Sequence, residues 1–119
     1  MGINNLFRAR VAEAAIAEFL IIKAGTAAGS CVVAAAATDK LLGTSDELPH
    51  VTGEVVDMAV GPVPFVRLGG TVAAGDALTS DANGKAIATT TTGNRIIGFA
   101  EVAGVANDVI TYLRAPGVI

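Results

Sequence analysis

The sequence predicts an all-β protein: a small barrel or β-tulip of short antiparallel strands, in two similar halves, with an N-terminal arm that is a short helix or extended. Three observations carry that prediction. Val and Ile together number 23 against 8 Leu, and β-branched side chains suit a pleated, half-buried surface. Short apolar runs recur between Gly-containing turns, at close to the roughly 8–12-residue spacing of sandwiches and barrels. Blocks of sequence also recur in the same order. Against them stands the composition: Ala, Val, Gly and Thr supply 62 of the 119 residues, and 23 Ala lean toward helix. The conflict resolves along the chain.

The first 18 residues differ in texture. Asn4-Asn5 can cap a helix from Leu6 to about Ala17, with Phe7, Val11, Ala14 and Ala15 on one face and Glu13 and Glu18 opposite. So short a helix is marginal in water, and its order is expected to depend on what it touches. We therefore divide the chain into an arm, 1–18, and a β-barrel domain, 19–119. Deleting residues 2–17 is expected to leave a folded core.

From Glu18 the strands follow one another. Phe19-Leu20-Ile21-Ile22 is a compact apolar run closed by Gly25, and Cys31-Val32-Val33 follows Gly29. Glu54 to Val60 alternates, with Val56, Met58 and Val60 on one face. Pro62 and Pro64 cannot donate to a ladder, so Pro62 to Leu68 belongs at an edge. Ala77-Leu78-Thr79 and Ala86-Ile87-Ala88 flank Asn83-Gly84, a hairpin turn in which both residues tolerate positive φ. Ile96 to Val102 and Val109 to Arg114 close the chain as an antiparallel pair. The count is seven to nine strands, and the Ala residues become small side chains in tight strand packing.

The repeat has three blocks. Gly25-Thr26-Ala27-Ala28-Gly29 resembles Gly70-Thr71-Val72-Ala73-Ala74-Gly75, and Asp39-Lys40-Leu41-Leu42-Gly43 matches Asn94-Arg95-Ile96-Ile97-Gly98. Glu54-Val55-Val56-Asp57-Met58 then matches Asp108-Val109-Ile110-Thr111-Tyr112. The longer spacing in the second copy suggests an extra hairpin at Asp81–Lys85.

Charge and cysteine usage narrow the function. A net charge of −3 without a basic cluster argues against nucleic acid as a partner. The longest uncharged run, Ala24 to Thr38, is too short and too polar to span a bilayer, and Glu13, Glu18 and Lys23 interrupt any signal-like segment. A soluble chain is expected. Cys31 has no second cysteine to pair with and reads as a buried, inert thiol. His50 with Asp46 and Glu47 holds the residue types of a metal site or acid–base pair, but one His in a polar loop reads as solvated. Lys85 beside the Asn83-Gly84 turn imitates the modified lysine of lipoyl or biotinyl carrier domains, without their flanking residues. Asp81 to Lys85 resembles a fragment of a calcium loop but lacks the downstream acidic ligand. No enzyme, no metal, no cofactor and no small-molecule substrate are expected, and contacts to partners remain as the task.

The stretch Gly70 to Ala86, with Gly75-Asp76-Ala77-Leu78-Thr79 and Asp81-Ala82-Asn83-Gly84-Lys85, resembles the central motif of tailed-phage capsid decoration (cement) proteins. Ile97-Gly98-Phe99-Ala100-Glu101 and Val109 to Leu113 continue the likeness. Ala37 to Ser45 and Gly53 to Asp57 carry it into the first half, so that it covers about Phe19 to Leu113. The resemblance implies a compact barrel or β-tulip, usually a homotrimer, on the outer surface of a phage head, where it holds neighbouring major-capsid subunits together. The partners implied are the major capsid protein and the chain itself. The arm lies outside the likeness. Its apolar Ile3, Leu6 and Phe7, with Arg8 and Arg10, are expected to contact the capsid or a neighbouring copy. Phe65 and Arg67, near the Pro-marked edge, are expected at the protomer interface. The competing reading is another phage β-barrel adaptor of tail or baseplate.

Overall fold

The computed structural model describes residues 6–119, and among them the chain forms ten strands and no helix. The first half holds β1 (Leu6–Ala12), β2 (Ile21–Ala24), β3 (Ser30–Val33), β4 (Leu41–Thr44) and β5 (Val55–Gly61). The second holds β6 (Phe65–Arg67), β7 (Ala77–Ser80), β8 (Ala86–Ala88), β9 (Arg95–Ala100) and β10 (Val109–Val118). Strands win because their alternating residues can bury one face against a partner sheet, which a lone Ala-rich helix cannot do.

The first five strands close into a barrel in the order β1-β3-β2-β4-β5, and the second five form a sheet in the order β6-β10-β9-β7-β8. Exchanging β1–β5 for β6–β10 in turn converts one connectivity into the other. The barrel closes through a parallel pairing, Val11 with Ser30 and Ala12 with Cys31. The second sheet makes the same closure with a single parallel bridge, Leu68 to Ala86. Register confirms the match strand by strand. Ile22 opposes Gly43 as Leu78 opposes Gly98, and Val11 opposes Val55 as Arg67 opposes Val109. Even the isolated bridge Ile16–His50 has its counterpart in Val72–Gly104.

Both interiors are therefore filled from equivalent positions. Ala12, Ile16, Ile22, Cys31, Val56 and Met58 pack together inside the barrel. Their counterparts Leu68, Val72, Leu78, Ala86, Ile110 and Tyr112 pack inside the second sheet. Left-handed residues also fall in pairs: Phe19 with Gly75, Gly29 with Gly84, and Gly53 with Asn107. The fold is a duplication.

Two expectations are corrected. Of the two forms expected for the arm, the helix from Leu6 to about Ala17 gives way to the extended one, β1, which pairs with β5 from Leu6–Gly61 to Val11–Val55. Its Ala, Arg and Leu favour helix locally, but the tertiary ladder decides otherwise. The repeat also aligns differently at its first block. The Gly25–Gly29 turn joins β2 to β3, so its counterpart is the Asp81–Lys85 turn between β7 and β8; Gly70–Gly75 joins β6 to β7. No extra hairpin exists. The two other blocks align as expected, because Gly43 and Gly98, like Val55 and Val109, occupy equal registers.

Candidate functional site

Strand alternation builds a groove on one side of the molecule. Along β1, Phe7, Ala9 and Val11 point outward, in register with Ala59, Asp57 and Val55 of β5. After β5 the chain passes Pro62 and Pro64 and enters β6, which sets Phe65 beside that face. Phe19, held at φ 57°, brings its ring to 5.9 Å from that of Phe65 with the planes 54° apart. Its carbonyl accepts from the Arg67 N–H at 2.8 Å, which fixes the pair across the boundary between the halves. These rings, with Leu48, Ala59 and Pro64, line a groove of about 360 Å³. Phe7 is 53%, Leu48 61% and Phe65 47% exposed, so three large apolar side chains meet solvent together. Clustered exposed apolar side chains of this kind are a candidate contact surface.

The rim is acidic. Asp46, Glu47 and Asp57 line the groove and no Lys or Arg does. Burial pushes the Asp46 carboxyl up, but the Leu48 N–H, the His50 ring and the Asp57 N–H outweigh it and hold the group below its ordinary value. His50 is clamped: Nε2 lies 2.9 Å from Asp46 Oδ1 and Nδ1 lies 3.6 Å from Glu54 Oε1. Its backbone exchanges two hydrogen bonds with Ile16, so the residue braces the barrel end and is less open to solvent than its loop suggested. Among the described residues no three of His, Cys, Asp and Glu are grouped to hold a metal ion. The groove offers apolar area and negative charge side by side.

The structure brings Phe7 and Phe65 together, although the sequence had assigned them to different contacts. Ile3 lies outside the described residues, as does the side chain of Leu6, whose backbone opens β1. Arg8 and Arg10 stand in register with Met58 and Val56, on the opposite face of β1 from Phe7. Arg8 is exposed, and Arg10 Nη1 donates to the Ser30 carbonyl at 2.9 Å. Arg67 donates to the Asn107 carbonyl at 2.9 Å and reaches Glu18 at 3.5 Å, tying β6 to the β9–β10 loop. Lys85 Nζ donates to Asn107 Oδ1 at 2.9 Å. Cys31 is buried in the barrel, and burial pushes its thiol pKa up. Sequence reasoning missed Phe19 and Leu48 as surface residues. Phe19 reads as the start of a buried strand. Leu48 had a signal, a large apolar residue directly after Asp46 and Glu47 in a polar loop.

No family model and no curated protein match the chain. Among solved structures, the chain is similar to the crystal structure of the head fiber gp8.5 N base in bacteriophage phi29. The TM-score is 0.74, the likeness covers 98% of each chain, and sequence identity is 14%. At that identity the likeness establishes a shared fold.

Proposed function

We propose that the chain is a non-enzymatic structural protein of a phage virion that docks on the outer surface of the head and stabilises contacts between major-capsid subunits. The observation that carries this reading is the fold likeness to a phage head fiber base, which covers 98% of each chain. The motifs shared with decoration proteins support it from the second half. The groove of Phe7, Phe19, Leu48 and Phe65 supplies the contact surface, and its carboxylates select a partner with basic residues beside apolar ones. Many shallow contacts suit a shell under internal pressure, because copies repeated over the head multiply modest affinities.

Co-sedimentation with purified expanded heads tests the reading. The chain is expected to pellet with heads at a fixed, saturable stoichiometry and to ignore isolated tails. Pelleting with tails alone would transfer it to the tail or baseplate, and no pelleting with either would end the virion reading.

A further inference from the structure

The duplicated fold contains a joint that is used once and whose parts occur twice. Within the chain, the β7–β8 turn of the second half enters a hollow on the first. Gly84 there lies against Val33, and a Cβ added to it would stand 3.1 Å from the Ile21 carbonyl oxygen and 3.4 Å from that of Ala34. The Ile21 N–H donates to the Gly84 carbonyl at 2.7 Å. Ile21 and Ala34, which this turn contacts, are fully buried, as is Thr44 beside them, whose hydroxyl meets that of Tyr112.

Counterpart positions show the same parts unfilled. Register places Ala77, Ala88, Thr89 and Phe99 of the second half where the first has Ile21, Val33, Ala34 and Thr44. These residues line an open hollow of about 500 Å³. Ala77 accepts from the Thr89 N–H as Ile21 accepts from that of Ala34, so its own N–H faces the hollow as that of Ile21 does. The counterpart of Gly84 is Gly29, at the same φ of 76°. Residues 26–29 are exposed, and a Cβ on Gly29 would meet nothing within 4 Å. The joint is thus heterologous, turn into hollow, and it leaves a spare turn on the first half and a spare hollow on the second.

We propose that the hollow at Ala77, Ala88 and Phe99 takes the Thr26–Gly29 turn of a second copy of this chain, so that copies join head to tail as the halves do. The sizes agree. The β2–β3 turn has six residues between Ala24 and Cys31, where the β7–β8 turn has five between Ser80 and Ala86. The lining is redistributed: Ala77 and Ala88 replace the larger Ile21 and Val33 where a turn would enter, while Thr89 and Phe99 replace the smaller Ala34 and Thr44 beside it. The incoming Thr-Ala-Ala-Gly segment has no charged side chain of its own, and the Glu13 carboxylate that closes the turn is already satisfied by the Thr26 and Ala27 N–H groups. Around the hollow, Phe99 and its cross-strand neighbour Leu113 stay 40% and 48% exposed, whereas their counterparts Thr44 and Ala59 are 0% and 5%. The equivalent positions are thus exposed on the second half and buried on the first.

Sedimentation of the full-length chain tests this independently of any phage head. The wild type is expected to show concentration-dependent association. Ala28→Glu, which spoils the turn, and Ala88→Glu, which spoils the hollow, should each weaken association by at least about tenfold while circular dichroism stays unchanged. Mixing the two variants restores one intact joint, from the turn of the Ala88→Glu chain to the hollow of the Ala28→Glu chain, while the other joint sets like charges together, and should give a 1:1 dimer and nothing larger. A monomeric wild type overturns the proposal, and so do single variants that still associate or a mixture that stays monomeric. Loss of head binding by these variants from a monomeric wild type would assign the hollow to a foreign protein and equally reject a second copy. Head pelleting by the wild type stands or falls separately.

Discussion

Glu13 carries more of the first half than its place in an Ala-rich segment suggests. Its carboxylate accepts from the Thr26 N–H at 3.0 Å, the Ala27 N–H at 2.8 Å and the Ser30 hydroxyl at 2.7 Å, closing the β2–β3 turn. The Ala27 and Thr26 amides are the main reason its pKa falls to about 2. A lowered folded-state pKa contributes stability above the ordinary carboxylate value and loses it as pH falls toward 2. The stability difference between wild type and Glu13→Gln, followed by denaturant titration, should therefore be full at pH 6 and shrink between about pH 4.5 and 2. A constant difference would mean that Glu13 acts by packing alone. Tyr112 titrates at the other extreme. Burial pushes its hydroxyl up to about 12, while the contact to Thr44 Oγ1 at 3.3 Å opposes the shift. A raised folded pKa favours folding below the ordinary value near 10, and that contribution is lost as pH rises toward 12. Tyr112→Phe should cost about 1–2 kcal/mol at neutral pH, by leaving a buried Thr44 hydroxyl without its partner, and should flatten the alkaline loss. Neither role was legible in sequence, because each partner lies far along the chain.

At the level of elements, the two halves solve one problem in opposite ways. The β2–β3 turn takes its carboxylate from Glu13 after β1, and Gly25 leaves the room: a Cβ there would stand 2.6 Å from Glu13 Oε1. In the second half the glycine and the carboxylate change places. Asp81, the counterpart of Gly25, accepts from the Asn83 N–H at 2.8 Å and the Lys85 N–H at 3.0 Å. Gly69, the counterpart of Glu13, leaves space for it, since a Cβ on Gly69 would run into Asp81 Oδ2. Two adjacent glycines therefore differ sharply. Gly69→Ala should cost about 1–2 kcal/mol by displacing the carboxylate from its two amides. At Gly70 the nearest contact of an added Cβ is Ile87 Cγ2 at 3.7 Å, so Gly70→Ala should be neutral or stabilise by up to about 1 kcal/mol. Equal melting temperatures for the two variants would remove Asp81 from the account. Most strands and the Asn83-Gly84 hairpin were legible, since alternation and turn residues are local signals. β1 was not, because its helix-forming residues conceal an alternation that only β5 makes meaningful.

For the whole molecule, the N-terminal strand is the decisive segment. β1 closes the barrel between β3 and β5 and carries Ala12 into the core, with Ile16 just beyond. Deleting residues 2–17 should consequently unfold the first half, seen as lost cooperativity in thermal melting, and the folded core expected from sequence should not survive. Head binding is better probed at the surface. Phe7→Ser with Leu48→Ser should leave the melting temperature nearly unchanged, since both side chains are more than half exposed, and weaken pelleting with heads by roughly tenfold or more. Undiminished pelleting would move the head contact away from this groove. Of that groove, Phe7 and Phe65 were singled out in sequence, but as parts of two separate contacts. Their convergence depends on the β5–β6 connection and on the backbone of Phe19.

The sequence by itself determined the class of fold, the position of most strands and turns, and two of the three repeated blocks. All of these are carried by short-range pattern: period-two alternation, turn residues, and the spacing of small motifs. Only the tertiary structure decided that β1 is a strand, that the Gly25–Gly29 turn corresponds to Asp81–Lys85, and that Phe7, Phe19 and Phe65 share one groove. The physical reason is common to all three. A strand's hydrogen-bond partners and a groove's walls come from residues distant in the chain, so register, closure and the fit of one half on the other are settled by contacts that no local pattern contains.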